Sequence, residues 1–126
     1  MKIGEYVEDK GIYAGEIKDS FGDNPKQLFV NMVDIQEEID FITAKEECEK
    51  IGYKMPDIRE LSQIYHYKDA INKGLENNGG EKIKEDWYWS STERDSNRAW
   101  GLIFSSGYRD YGYKYDTLYV RPVLAL

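Results

Sequence analysis

Apolar and polar positions alternate with a period of two at both ends of the chain and with a helical period in between. Ile3 to Val7, Gly11 to Ile17 and Leu28 to Val33 are short alternating or apolar runs. They are separated by Glu8-Asp-Lys-Gly11 and by the turn-forming cluster Ser20-Phe-Gly-Asp-Asn-Pro25, which predicts a hairpin and one further strand. Thr43-Ala-Lys-Glu46 fits a capping box, and Ala44, Cys48 and Ile51 then recur at helical spacing until Gly52. Asp57-Ile-Arg-Glu60 is a second box. It opens a helix with Ile58, Leu61, Ile64 and Tyr65 on one face, expected to run to about Tyr67, with Lys68 to Leu75 as a further helical piece. Asn77-Asn-Gly-Gly80 then predicts a turn.

From Trp87 the period returns to two. Trp100, Leu102 and Phe104 share one side of a strand and Ala99, Gly101, Ile103 and Ser105 the other, which predicts a sheet with one well-packed face. Ser106-Gly107 breaks the run. After it Tyr111, Tyr113 and Tyr115 share a side at i, i+2 and i+4, as an edge strand or a long extended loop would place them. Tyr119 to Leu126 reads as a final apolar strand, and Pro122 assigns it to an edge or a bulge.

Strands, then helices, then strands imply an α+β fold: two helices packed on small antiparallel sheets, with the N-terminal strand Ile3 to Val7 paired to the C-terminal strand Val120 to Leu124. The 126 residues, 40% of them hydrophobic, suffice for a single domain spanning 1–126.

Charge removes one class of partner. A formal net charge of -7, with 17 basic residues scattered among 24 acidic ones, disfavours nucleic acid. The N-terminus has no apolar core of a secretory signal, and no stretch of about 18 apolar residues would insert into a membrane, so a soluble chain is expected.

Candidate chemistry is sparse. Cys48 is the one cysteine, so neither a disulfide framework nor a cysteine zinc cluster is available, and Glu46, Glu47 and Glu49 flank it with the charge that suppresses a thiolate. His66 is the one histidine, and the paired acids Glu37-Glu38, Glu46-Glu47 and Glu85-Asp86 read as solvated charge. No nucleophile, base and orienting group fall together, so no enzyme activity, metal or cofactor is expected.

The C-terminal third carries the distinctive composition. Between Tyr88 and Leu126 stand two of the three Trp amid Tyr, Ser, Gly, Asn, Asp and Arg, the palette of an antibody paratope. Tyr supplies contact area at low rotamer entropy, and small polar residues adapt around it. The alternative is that Tyr111, Tyr113 and Tyr115 cover the sheet with buried rings.

Ala44-Lys-Glu-Glu-Cys48, Gly52-Tyr-Lys-Met-Pro56, Arg59-Glu-Leu61, Tyr88-Trp-Ser-Ser-Thr-Glu93, Ala99-Trp100, Phe104-Ser-Ser-Gly107 and Val120-Arg-Pro-Val123 together resemble the bacterial C-type-lectin-like domains of unknown function. These belong to the superfamily of the Lcl C-terminal domain and the formylglycine-generating enzymes. The resemblance covers roughly residues 40 to 126 and implies a C-type lectin-like fold. Within that superfamily the tail is most similar to the variable proteins of diversity-generating retroelements, whose terminal codons are rewritten at adenines. That resemblance implies a fixed scaffold of Trp89, Ser90, Ser91, Trp100, Phe104, Gly107, Val120, Arg121, Pro122 and Val123. It implies a diversified, ligand-binding set made of Arg94, Asp95, Ser96, Asn97, Arg98, Ser105, Tyr108, Arg109, Asp110, Tyr111, Gly112, Tyr113, Tyr115, Asp116, Thr117 and Leu118.

A non-enzymatic display domain is therefore expected, on a phage particle or a cell surface, binding a protein or surface glycan, with homo-oligomers known among such relatives. A fixed-specificity adhesin or carbohydrate-binding module is the first alternative, and an enzyme-like remnant of the formylglycine-generating fold the second. The Glu-Pro-Asn and Trp-Asn-Asp strings of calcium-dependent lectins and the cysteine pair of the copper oxidases are missing from the sequence.

Overall fold

A computed structural model describes residues 1–19 and 21–126; Ser20, which begins the predicted turn cluster, lies outside them. The architecture is α+β, with three helices and two small antiparallel sheets. Strands β1 (Tyr6–Val7), β2 (Gly11–Ile17) and β3 (Lys26–Val30) come first. Helices α1 (Phe41–Lys50), α2 (Ile58–His66) and α3 (Lys68–Asn77) follow. Strands β4 (Trp87–Glu93), β5 (Arg98–Ile103), β6 (Arg109–Tyr113) and β7 (Val123–Ala125) complete the chain.

The larger sheet has the order β1-β2-β3-β7. The terminal strands thus lie on opposite edges, which corrects the expected pairing of N- and C-terminal strands. The reason is burial. Ile12, Tyr13 and Ala14 of β2 and Leu28, Phe29 and Val30 of β3 are all inside, so this hairpin takes the centre. The two-residue β1 adds only Tyr6 and Val7 to its outer flank. Strand β7 is an edge, as Pro122 foretold, and pairs with β3 from Leu28↔Ala125 to Val30↔Val123.

Helix α1 begins earlier than the Thr43 box predicts. Asp40 is its N-cap, accepting from the Thr43 N–H at 2.9 Å and from the Thr43 hydroxyl at 3.0 Å. Starting there puts Phe41 in the first turn, where it packs edge-on to Trp89 at 5.7 Å. Helix α2 has its predicted box in full: the Asp57 carboxylate accepts from Glu60 N–H (2.8 Å) and Glu60 Oε1 from Asp57 N–H (2.9 Å). Tyr67 caps α2 and starts α3, so the further helical piece is a third helix rather than an extension.

The smaller sheet, β4-β5-β6, lies between two apolar clusters. Tyr88, Leu102 and Phe104 join Ile12, Leu28, Val30, Leu61, Ile64, Ile71 and Leu75 against α2, α3 and the larger sheet. Trp89 and Ala99 join Phe41, Ala44, Cys48 and Val120 under α1. Both faces are therefore packed, where the alternation of β5 predicted one. Neighbouring Tyr88 and Trp89, each fully buried, drive this, since successive strand residues point to opposite faces.

Within this sheet β6 is the strand left uncovered. It pairs with β5 on its inner side, and its residues are exposed apart from Gly112.

One buried ion pair joins the loops around this frame. Arg121 Nε donates to Asp34 Oδ1 at 2.6 Å, with both side chains almost wholly inside. Asp34 Oδ2 also accepts from the Tyr88 hydroxyl (2.8 Å) and Lys84 Nζ (2.9 Å). The remaining guanidinium donors reach the carbonyls of Asn31, Glu81 and Lys82.

Candidate recognition surface

The β4–β5 connection is locked by one carboxylate. Asp95 Oδ1 accepts from the backbone N–H groups of Asn97 and Arg98, each at 2.9 Å, and Oδ2 accepts from Arg98 Nε (2.8 Å) and Nη2 (2.6 Å). The Arg98 bonds, then the Asn97 N–H, hold the Asp95 carboxyl below its ordinary range, and the same contact raises Arg98. A second connection, after β6, closes where Asp116 N–H meets the Tyr113 carbonyl at 2.9 Å and Asp116 Oδ2 accepts from Tyr113 N–H at 3.1 Å.

Lys114 joins the two. Its N–H donates to the Asn97 carbonyl at 2.8 Å and its Nζ to the Ser96 carbonyl at 3.0 Å. Its Nζ also pairs with Glu93, holding that carboxyl low, and lies 5.1 Å from the centre of the Phe41 ring. Loops that would otherwise drift are thereby fixed to α1.

The tyrosines do not share one side along a straight strand, which corrects the i, i+2, i+4 expectation. Strand β6 ends at Tyr113 because Asp116 turns the chain there. Tyr115 folds back beyond the turn and stacks on Tyr113, with ring centres 5.2 Å apart and planes 3° apart. Tyr111 stands opposite Trp100 and meets it edge-on at 5.2 Å, with Arg94 at 4.8 Å and Arg98 at 5.2 Å over its ring. Tyr111, Tyr113 and Tyr115 remain 37%, 48% and 75% exposed, so they do not merely roof the sheet.

Three hollows follow the strip. Asp40, Ile42, Ser96, Asn97, Tyr113, Lys114 and Tyr115 line a cleft of about 510 Å³. Ile58, Trp100 and Arg109 line one of about 430 Å³. A smaller one of about 160 Å³, on the opposite face, lies between Trp87, Gly101, Asp110, Tyr111, Gly112 and Leu118.

All sixteen candidate positions except Arg98, Gly112 and Leu118 are exposed. They form an elongated strip rather than one patch. Arg94 to Arg98 and Tyr113 to Thr117 gather at one end, through the Lys114 contacts. Ser105 lies in the turn after β5, and Tyr108 rests edge-on to Trp87 at 6.4 Å, at the other end. The length of β5 separates them by about 17 Å, at ~3.3 Å per residue. Leu118 belongs to the frame: it packs on the second cluster and exchanges both backbone hydrogen bonds with Ile39.

The sequence pattern missed Asp40, Ile42, Ile58 and Lys114 as neighbours of the strip. A signal existed for Ile42. Phe41 and Ile42 are adjacent in the first helical turn, where only one can face inward, and Ile42 is left 58% exposed.

Burial, then Glu49 and Glu47, pushes the Cys48 thiol up to about 12. His66 ends α2 with its ring against Tyr67. Among the described residues no three His, Cys, Asp or Glu side chains gather as a metal site, and no helix is long and apolar enough to cross a membrane.

The model of the Lcl C-terminal domain family matches residues 19–124, and the chain belongs to that family. The match takes in β3 as well as the helices and the smaller sheet, and leaves β1 and β2 before it. No curated protein matches the chain.

Proposed function

We propose that this domain is a non-enzymatic recognition module on a C-type-lectin-like scaffold, and that the strip from Arg94 to Thr117 binds a macromolecular partner at a phage or cell surface. The observation that carries this is a segregation within one short stretch. Among the residues assigned to a fixed scaffold, Trp89, Ser90, Phe104, Val120, Arg121, Pro122 and Val123 are buried, while nearly all those assigned to the variable set are exposed. A surface of Tyr, Arg, Asp, Ser and Asn on a frame held by Asp95, Lys114 and Asp116 loses little entropy on binding, because the loops are already ordered.

Diversification by a retroelement is the sharper form of the proposal, and DNA tests it. Sequencing the few kilobases around the gene should find a near-copy of the codons for Tyr88 to Leu126 beside a reverse transcriptase, differing only where the copy carries adenine. Lack of such a copy shifts the weight to a binding module of fixed specificity.

A second reading has its own observation. The Tyr113–Tyr115 stack borders a cleft whose wall offers Asp40, Ser96 and Asn97, so an aromatic platform stands beside hydrogen-bonding groups, as a sugar ring requires. It predicts saturable glycan binding that is lost on Tyr113→Ala. An activity at Cys48 would instead require the native thiol to react with a labelling reagent, which its burial opposes.

A further inference from the structure

One side of the strip has a charge opposite to that of the chain. Arg98 and Arg109 flank Trp100 and Tyr111 on the same face of β5–β6, and Arg94 lies over Tyr111. Arg98 is satisfied by Asp95. Among the described residues no carboxylate comes within salt-bridge distance of Arg94 or Arg109. The nearby acids are engaged: Asp110 accepts from Tyr111 N–H at 2.8 Å, and Asp116 from Tyr113 N–H. Stacking on Tyr111 restrains the Arg94 guanidinium but leaves its edge free, and that edge has the fork geometry that a carboxylate fits with two parallel hydrogen bonds. The Ile58–Trp100 hollow lies beside Arg109, apolar on two of its three walls.

We propose that this side binds an acidic protein segment in which an apolar side chain is flanked by carboxylates. The apolar group seats between Ile58 and Trp100, and the carboxylates pair with Arg109 and Arg94. The inference rests on the recognition surface proposed above and names the chemistry of its partner.

Two observations favour protein over a polyanion. A net charge of -7 repels a long anionic chain, and two free guanidiniums give few of the phosphate or sulfate contacts on which such binding depends. Phosphate and sulfate groups also offer nothing apolar to the hollow.

The segment is held by its side chains, because strand addition is blocked. Ile103 N–H bonds the Tyr108 carbonyl and Lys114 N–H the Asn97 carbonyl, so the intervening alternation turns the N–H groups of Tyr111 and Tyr113 outward. There Asp110 and Asp116 already occupy them.

The test is selection of displayed random peptides on the intact domain, with Arg94→Glu/Arg109→Glu as the comparison. Both arginines are exposed, so the variant should keep its melting temperature. Recovered peptides should be enriched in Asp and Glu on either side of an apolar residue, and the variant should capture them at least about tenfold less well, as the loss of a charge-assisted contact implies. Neutral or basic consensus sequences, or capture unaffected by the charge reversal, would overturn the proposal. If capture instead depends on Tyr113 and Tyr115, the recognition surface stands and this inference fails. If heparin, and no acidic peptide, is retained through the arginines, the partner is a polyanionic glycan. No peptide enrichment at all would overturn this inference and leave the recognition surface to a glycan partner.

Discussion

Arg121 and Asp34 give the sharpest test of how the frame is held. Their side chains are 1% and 2% exposed, and removing one partner of a buried ion pair costs about 3–5 kcal/mol because the other is left charged without a counter-ion. The two directions are not equal here. Arg121→Met leaves Asp34 with Lys84 Nζ and the Tyr88 hydroxyl, whereas Asp34→Leu leaves a buried guanidinium facing only the carbonyls of Asn31, Glu81 and Lys82. Arg121→Met should therefore fall near the lower limit and Asp34→Leu near the upper.

Urea unfolding measures both, as a shift in midpoint at constant slope. The larger loss corresponds to a fall of about 20 °C in Tm, at ~4 °C per kcal/mol for a domain of this size. The double variant Asp34→Leu/Arg121→Met removes both charges, so its cost should fall short of the sum of the singles by about 2 kcal/mol or more. Single losses under about 1 kcal/mol, or additivity in the double variant, would refute the assignment of a coupled buried pair.

Cys48 supplies a pH dependence. The unfolded thiol ionises near 9.0 and the folded one near 12, so its contribution is intact below pH 9 and is lost as pH rises, by up to ~1.4 kcal/mol per unit; Cys48→Ala should flatten the fall in urea midpoint between pH 8.5 and 10.5. Gly107 has φ +81° and a β-carbon there would lie 2.5 Å from the Tyr65 ring, whereas Gly52, at φ +79°, has open space. Gly107→Ala should therefore lower Tm clearly more than Gly52→Ala, which meets backbone strain of about 1 kcal/mol alone. Asp110→Ala/Asp116→Ala bares two outward N–H groups of β6 and should produce concentration-dependent self-association by sedimentation, which the native chain should not show.

What was legible in the sequence is what is encoded within a few residues. The α2 box needs only Asp57 and Glu60, whose bonds are reciprocal, so the motif and the structure coincide. The same template misplaced the start of α1: Thr43 and Glu46 fit it, but Asp40 supplies a charged acceptor, and burial of Phe41 decides in its favour. Strand order was beyond local pattern, because the choice between pairing β1 with β7 and inserting a hairpin between them depends on which strands bury most. The Asp34–Arg121 pair spans 87 residues, and neither partner carries a local sign of the other. In the strip, the family resemblance put Arg94 to Asn97 in the ligand-binding set, and they are exposed, but the fold-back of Tyr115 depends on an Asp116 contact that alternation does not register.

The two edge carboxylates bear on how the strip works. An open edge binds extended chains through the backbone, largely regardless of side chains, and invites a second copy of itself. With Asp110 and Asp116 on the outward N–H groups of Tyr111 and Tyr113, the proposed recognition would leave discrimination between partners to side chains alone. Both aspartates nevertheless fall within the set that the retroelement proposal makes variable. If those positions are rewritten, the sequences that lose both acids gain a sticky edge along with any new specificity. The usable repertoire is then narrower than the codons allow, with Asp, Asn or Ser, whose oxygens can accept from the neighbouring N–H, favoured at Asp110 and Asp116 over residues with no acceptor. That bias separates the proposal from free diversification, because unselected variants would show it only after the folded, monomeric fraction had been sorted from the rest.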